Sequence, residues 1–161
     1  RRFGVAAVQP LEARGGRLDD LNRLLGRAAE VMDASGIVVW IGDPAGSSLR
    51  PVLAHGYSPQ ALARMPHVPR SGDNAAAAAY RTGLLQIVLT RPGVASGAIA
   101  APMVSPNGCI GALTAEIKNG GETSDGVQAL AAIVASQLAG VLADSVLQAE
   151  DELPESRIAS A

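Results

Sequence analysis

The stretch from Gly97 to Ile117, GAIAAPMVSPNGCIGALTAEI, constrains the fold of this chain more than any other. Two apolar runs of strand length flank a Ser-Pro-Asn-Gly segment at 105–108. Proline presets φ and Asn-Gly accepts positive φ at low cost, so this segment favours a tight turn. The flanking runs are too short for helices and apolar enough for buried strands. We therefore expect a β-hairpin at the centre of a sheet.

The composition indicates one globular domain. The chain has 161 residues, of which 48% are apolar and 17% charged. The net charge of −2 gives no electrostatic drive towards nucleic acid, so we expect no nucleic-acid partner. The aromatic residues are too few for a base-stacking platform. They are Phe3, Trp40, Tyr57 and Tyr80.

Several classes of site are not indicated by the sequence. The single cysteine, Cys109, excludes an internal disulfide and a cysteine-based metal cluster. No Ser-His-Asp order, metal-ligand cluster or phosphate-binding loop stands out, so we expect no catalytic residue, metal or cofactor. No apolar run approaches the ~20 residues of a membrane span, and we expect a cytoplasmic protein without a membrane partner. Because the chain begins with Arg1 rather than Met, we expect it to be part of a longer protein whose output domain lies outside this sequence.

The N-terminal part predicts a long helix after an irregular lead-in. Residues 1–16 contain Pro10 and a Gly-Gly pair that disfavour regular structure. Asp19 and Asp20 suit the first turn of a helix, and Gly36 suits its end. Apolar residues recur at steps of three and four between these signals. They are Leu18, Leu21, Leu25, Ala28 and Met32, widened by Leu24 and Val31.

The middle of the chain alternates strands with short helices. In Ile37–Ile41 the residues pointing to each face of a strand are all apolar, which predicts a strand covered on both faces. Leu49–His55 predicts a second strand, with Pro51 marking an edge or a bulge. A short helix is predicted after Ser58-Pro59, and another over Asn74–Thr82. Asp73 or Ser71 is expected to cap the latter, Gly83 to stop it, and a strand over Leu84–Leu89 and a loop over Thr90–Ser96 to follow.

A long final helix is predicted from Ser124-Asp125 to about Glu150, broadly apolar at first and narrower later. The predicted domain spans residues 17–150, and residues 151–161 form a tail or the start of a linker. Helix, two strands, two short helices, three strands and a long helix define an α+β domain on a mostly antiparallel sheet.

This order of elements, with its motifs, resembles the GAF domain family from Leu18 to Gln148. The matching pieces are IVVWIGD, LAHGYS, AAYRTG, AIAAPMVSPNGCIGALTAEI and the closing helix. The resemblance implies a central antiparallel sheet of five to six strands. The long terminal helices would lie on one face, and short helices and loops on the other. It also implies a non-catalytic regulatory module of a signalling or transcription-regulating protein, such as a two-component system.

The resemblance also implies two sets of site residues. A small-molecule pocket would lie beneath the short helices, with ligand-binding positions Val38, Trp40, Ser71, Asn74, Tyr80, Thr82 and Thr114. Pairing through the terminal helices would give a homodimer, with interface positions Leu18, Leu21, Leu25, Leu138 and Leu142. Trp40 is alternatively a core residue, and Thr114 a core hydroxyl with an internal partner. The alanine runs either pack tightly or leave a cavity.

Departures from the family pattern keep other functions open. The cyclic-nucleotide signature is replaced by EIKNGGETSD, the bilin-attaching Cys-His pair is absent, and the cysteine set of the sulfoxide reductases is missing. The loop over Thr90–Ser96 is also short for a pocket lid. The main alternative is therefore a ligand-free module that dimerises and positions its neighbours. A haem or redox sensor using His67 or Cys109 is a further alternative.

Overall fold

In a computed structural model, residues 10–160 are described, with side chains described over 16–143. Four α-helices and six strands alternate along this part of the chain. In order they are α1 (Pro10–Met32), β1 (Ala34–Gly42), β2 (Ser48–His55), α2 (Pro59–Arg64), β3 (Val68–Pro69), α3 (Ala75–Thr82), β4 (Gln86–Val88), β5 (Gly97–Ser105), β6 (Gly108–Ile117) and α4 (Asp125–Ser160). A 3-10 turn, Gly121–Thr123, precedes α4.

The six strands form one sheet in the order β3-β2-β1-β6-β5-β4. All neighbouring pairs are antiparallel, which confirms the predicted α+β class. β1 and β6 are the central pair. The register between β1 and β2 shifts between Val39 and Trp40, opposite Pro51, as the bulge prediction required.

The predicted hairpin is confirmed as β5 and β6, which pair from Gly97 opposite Ile117 to Ser105 opposite Gly108. Positive φ falls on Gly108, at 121°. The Ser105 hydroxyl donates to the Gly108 carbonyl oxygen at 3.1 Å and accepts from the Asn107 N–H at 3.2 Å. The turn is therefore closed by a serine side chain in addition to the Pro-Asn-Gly chemistry.

The sheet has a different cover on each face, as the family resemblance implied. Both long helices pack on one face, where Leu25 of α1 and Leu138 of α4 are fully buried with Ile37 and Leu113. On the opposite face, α3 sets Ala79 against Ala100 and Ala112. Alanine on alanine lets the helix approach the sheet closely, so tight packing, rather than a cavity, fills this part of the interior.

Both ends of α1 differ from the prediction. The helix begins at Pro10, so residues 10–16 are helical, while residues 1–9 lie outside the described part. Proline is tolerated in a first turn, and a helix-interior glycine costs only about 1 kcal/mol. The helix ends at Met32, and Asp33, with φ of 55°, takes the left-handed conformation predicted for Gly36. The Asn119 side chain donates to the Asp33 carboxylate at 3.0 Å and so holds it there.

The cap of α3 also differs from the prediction. Asn74, rather than Asp73 or Ser71, caps the helix, accepting from the Ala77 N–H at 2.9 Å. Gly83, with φ of 72°, ends it as predicted. β4 is shorter than the predicted strand, and the two-residue β3 was not predicted.

The last helix is longer than predicted. α4 continues past Glu150 to Ser160, over the segment expected to be a tail or linker. Its first part, Asp125–Ala143, is long and apolar enough to cross a membrane, contrary to our expectation from the sequence. Core helices meet the same criteria of length and composition, and one side of this segment is buried against the sheet.

Candidate functional site

The sheet face opposite the long helices carries the central residues of the predicted pocket. Alternation along β1 turns Val38 and Trp40 to this face, because Ile37 and Val39 point into the core beneath the long helices. Thr114 lies opposite Val38 on β6. The indole Nε1 of Trp40 donates a hydrogen bond to the Thr114 hydroxyl at 2.9 Å. The structure thus brings three of the predicted ligand-binding residues together.

We define the Trp40 patch as Val38, Trp40, Ala98, Thr114 and Glu116. Val38 is buried, Trp40, Ala98 and Thr114 are partly buried, and Glu116 is exposed. These residues share one face of the three neighbouring strands β1, β6 and β5. The patch is a partly open apolar surface with the carboxylate of Glu116 at one end and Trp40 at the other. The Trp40 side chain is hydrogen-bonded to Thr114 and also packs against the cluster of Leu49, Ala76 and Tyr80.

Two glycines of β1 make room for tyrosine rings on either side of the patch. A Cβ built on Gly36 would lie 2.6–2.7 Å from the Tyr57 ring and hydroxyl. A Cβ on Gly42 would overlap the Tyr80 hydroxyl. Glycine within a strand often marks such a close approach, so the sequence carried a signal at both positions but not the identity of the partner.

Tyr57 and Glu116 form the acidic end of the patch. The Tyr57 hydroxyl donates to Oε1 of Glu116 at 2.8 Å. Burial, with the hydrogen bond to Glu116 and its charge, raises the pKa of Tyr57 to about 12. Tyr57 therefore stays a neutral donor across the physiological range and holds the carboxylate in place. Neither Tyr57 nor Glu116 was among the ligand-binding positions predicted from the sequence.

A second polar group surrounds Tyr80 at the other end. The Arg70 guanidinium lies over the Tyr80 ring, 5.1 Å from its centroid. Burial raises the pKa of Tyr80, and the Arg70 charge opposes that shift. Asp43, in the β1–β2 turn, accepts from the backbone N–H and hydroxyl of Ser47 at 2.7 and 2.6 Å. These bonds lower the pKa of Asp43 to about 2.

Three other predicted ligand-binding residues lie at the ends of α3 rather than in the patch. Ser71 is exposed in the preceding loop. The side chain of Asn74 accepts the capping hydrogen bond at the N-terminus. Thr82 donates to the Ala78 carbonyl oxygen at 2.6 Å and accepts from the Leu84 N–H at 3.2 Å. The polar atoms of Asn74 and Thr82 are therefore engaged in finishing the helix.

The predicted dimer residues divide into two groups. Leu21, Leu25 and Leu138 are buried inside the single chain, where α1 and α4 pack on the sheet. Their side chains fill the core of the single chain, and the interface that the family resemblance implied for them stays a prediction. Leu18 is 49% exposed and Leu142 is partly exposed, so both remain available to a second chain.

Two open surface cavities of several hundred Å³ lie away from the patch. One, of about 650 Å³, is bordered by Thr90–Ser96 and Ile117–Gly120. The other, of about 500 Å³, lies between α1 and α4, next to Arg17 and Gly140. Neither is lined by the predicted ligand-binding residues. Within the described residues, no group of three or more His, Cys, Asp or Glu side chains could hold a metal ion.

Comparison with known proteins identifies related sequences and folds. Residues 19–144 match the family described as GAF domain. Among curated proteins, no sequence matches the chain. The GAF domain of an Acinetobacter phosphoenolpyruvate-protein phosphotransferase superposes with a TM-score of 0.69 at 14% identity, over 83% of this chain and 85% of that one.

Two further solved structures share the fold. The second GAF domain of DevS from Mycobacterium smegmatis has a TM-score of 0.63 at 20% identity, over 83% of this chain and 98% of that one. The free methionine-R-sulfoxide reductase of Neisseria meningitidis, solved with its substrate, has a TM-score of 0.62 at 16% identity. It covers 82% of this chain and 80% of its own. At these identities the structural likeness establishes the fold alone.

Proposed function

The chain belongs to the GAF domain family, sensory and regulatory modules of larger proteins, and we propose that it binds a small molecule on the Trp40 patch. The observation that carries this proposal is the Trp40–Thr114 hydrogen bond on a partly open sheet face. A flat indole whose N–H is already paired presents an apolar surface with no unmet donor. Ligand pockets combine such surfaces with a few placed polar groups, which Glu116 and Tyr57 supply here.

We propose that the module is non-catalytic, although the reductase shows that this fold can carry an enzyme. Burial raises the pKa of Cys109, the one cysteine of the chain, and its thiol donates to the Gly111 carbonyl oxygen at 3.3 Å. A protonated, hydrogen-bonded thiol is a poor nucleophile. The same environment argues against redox sensing through Cys109.

The sole tryptophan provides the test of ligand binding. Trp40 emission is recorded while nucleotides, amino acids and organic acids are added one class at a time, and native mass spectrometry checks each response. We expect one class to change the emission and to be retained. Ala98→Phe, which fills the patch, should abolish both signals, whereas Val31→Ala, on the exposed side of α1, should preserve them. Failure of every class to bind would overturn the proposal.

A ligand-free positioning module is the second candidate. It is favoured by the close packing of Ala79 on Ala100 and Ala112. A packed interior gives a rigid body that can hold neighbouring domains in register. This function predicts that Ala98→Phe changes neither the oligomeric state nor the regulation of the full-length protein.

We further propose that a second copy of the chain packs against α4 in a homodimer. Residues 126–143 carry no charged side chain, and those on the solvent side include Ile133, which is 55% exposed. A solvent-facing helix surface normally carries charges, so an uncharged one suits a helix contact. Ile133→Glu should shift the sedimentation coefficient towards the monomer, while Val31→Glu, on α1, should not. Equal behaviour of the two variants would reject this interface.

A further inference from the structure

The side chain of Glu122 joins two elements that are distant in sequence. Glu122 lies in the 3-10 turn before α4 and is only 2% exposed. Its Oε2 accepts from both the backbone N–H and the hydroxyl of Thr90, each at 2.8 Å. Thr90 opens the loop between β4 and β5, so one carboxylate holds the start of that loop against the turn that leads into α4.

The carboxylate is only half satisfied. Within the part of the chain that the structure describes, Oε1 of Glu122 is buried and has no hydrogen-bond partner. It lies over Gly97, where an added Cβ would overlap both carboxylate oxygens. The bonds from Thr90 lower the pKa of Glu122, while burial acts in the opposite direction. A buried acceptor left without a partner makes the contact less stable than a fully bonded one.

The same residue is bonded to the first turn of α4. The Glu122 carbonyl oxygen accepts from Nε2 of Gln128 at 2.9 Å. Between them, the Ser124 hydroxyl accepts from the Val127 N–H at 3.3 Å as the helix cap. A displacement of Glu122 would therefore disturb its hydrogen bond to the Gln128 side chain in α4. It would also move Thr123, which directly precedes the Ser124 cap.

The loop held by Glu122 follows directly from the edge of the Trp40 patch. Val88, the last residue of β4, pairs with Ala98 of the patch and is 41% exposed. Thr90 is two residues further on. A molecule lying on the patch would thus contact or displace the strand whose continuation is bonded to Glu122.

We propose that Glu122 is the positioning residue that couples the β4–β5 loop to the N-terminus of α4. When Thr90 moves, the half-satisfied carboxylate moves with it and loosens the first turn of α4. This inference rests on the proposed function of the patch, for which it supplies the route from the patch to a terminal helix.

The test measures amide hydrogen exchange by mass spectrometry in the ligand-free protein. Gly97→Ala displaces the carboxylate without changing the Glu122 residue itself. Thr90→Val removes the hydroxyl donor and retains the backbone N–H donor of residue 90. Gly140→Ala is the control, since a Cβ there meets no atom within 4 Å. We expect exchange to accelerate about tenfold or more both in the 90–96 loop and at the start of α4, as for a lost hydrogen bond to a charged group.

Acceleration confined to the loop in both variants would overturn the coupling, as would no change in either region. If Gly97→Ala fails to fold, the test uses Thr90→Val alone and compares exchange in the same two regions, the 90–96 loop and the start of α4. Because no ligand is added, this result does not depend on the ligand-binding experiment that follows Trp40 emission. If no ligand binds but exchange accelerates in both the loop and α4, the proposed ligand sensing is rejected and the coupling through Glu122 is retained.

Discussion

The indole N–H of Trp40 and the hydroxyl of Thr114 are joined at 2.9 Å across the two central strands of the sheet. Both residues were predicted as ligand-binding positions, each with a structural alternative. The hydrogen bond accounts for both structural alternatives, because it gives the indole N–H of Trp40 an acceptor and the hydroxyl of Thr114 a donor. It also leaves the indole ring on a partly open face, so one interaction supports the sheet and shapes the patch.

Thr114→Val should lower the free energy of unfolding by about 1–3 kcal/mol, because the partly buried indole N–H loses its acceptor. Chemical denaturation followed by Trp40 emission measures the change. Thr114→Ser keeps the hydroxyl and should retain most of the stability. A larger loss in Thr114→Ser than in Thr114→Val would indicate that the methyl group, which only Val retains, carries the effect rather than the hydrogen bond.

Leu138→Ala should cost about 2–5 kcal/mol of unfolding free energy, since Leu138 is fully buried in the core beneath the long helices. The matched change Ile133→Ala, on the solvent side of the same helix, should cost about 0.5 kcal/mol or less in the isolated chain. Thermal unfolding of both variants gives the comparison. A small loss at Leu138 would be inconsistent with its position in the core.

Gly42→Ala should destabilise the protein by about 1–3 kcal/mol, because the new methyl group overlaps the Tyr80 hydroxyl. The penalty should be smaller in a Tyr80→Phe background, which removes the overlapped oxygen. A double-mutant cycle in urea measures this difference. Gly16→Ala, with no atom within 4 Å of the new Cβ, is the control and should be neutral or stabilising.

Acid should weaken the β1–β2 turn through Asp43. Its pKa is lowered from 3.8 to about 2, so the hydrogen bonds from Ser47 stabilise the fold above pH 3.8 and lose that contribution as the pH falls from 3.8 towards 2. Asp43→Asn should flatten the pH dependence of unfolding in that window, and Ser47→Ala should flatten it in part. An unchanged acid limb in Asp43→Asn would assign the loss of stability to other carboxyl groups.

Much of the fold could be predicted because its signals are local. The Pro-Asn-Gly turn, the cap at Ser58 and the stop at Gly83 depend on backbone preferences of the residues themselves, and the structure confirms all three. The two-faced burial of β1 follows from an uninterrupted apolar run. Of the candidate site, Val38, Trp40 and Thr114 came from the family resemblance, and strand alternation explains why Val38 and Trp40 share one face.

Other features depend on which surfaces meet. Asp33 replaces Gly36 as the left-handed residue because Asn119, distant in sequence, supplies a hydrogen bond. Likewise, an apolar helical stripe looks the same in sequence whether it faces its own sheet or a second chain. The structure shows that Leu21, Leu25 and Leu138 face inward.

By itself, therefore, the sequence determined the hairpin, the order of the strands and helices apart from β3, and the α+β class, because short-range backbone preferences and the period of apolar residues encode them. Only the tertiary structure decided the contact of Tyr57 with Glu116 and the bonds from Thr90 to Glu122. These pairs are separated by 59 and 32 residues. Their partners are set by how the sheet brings distant segments together, a relation that no local pattern carries.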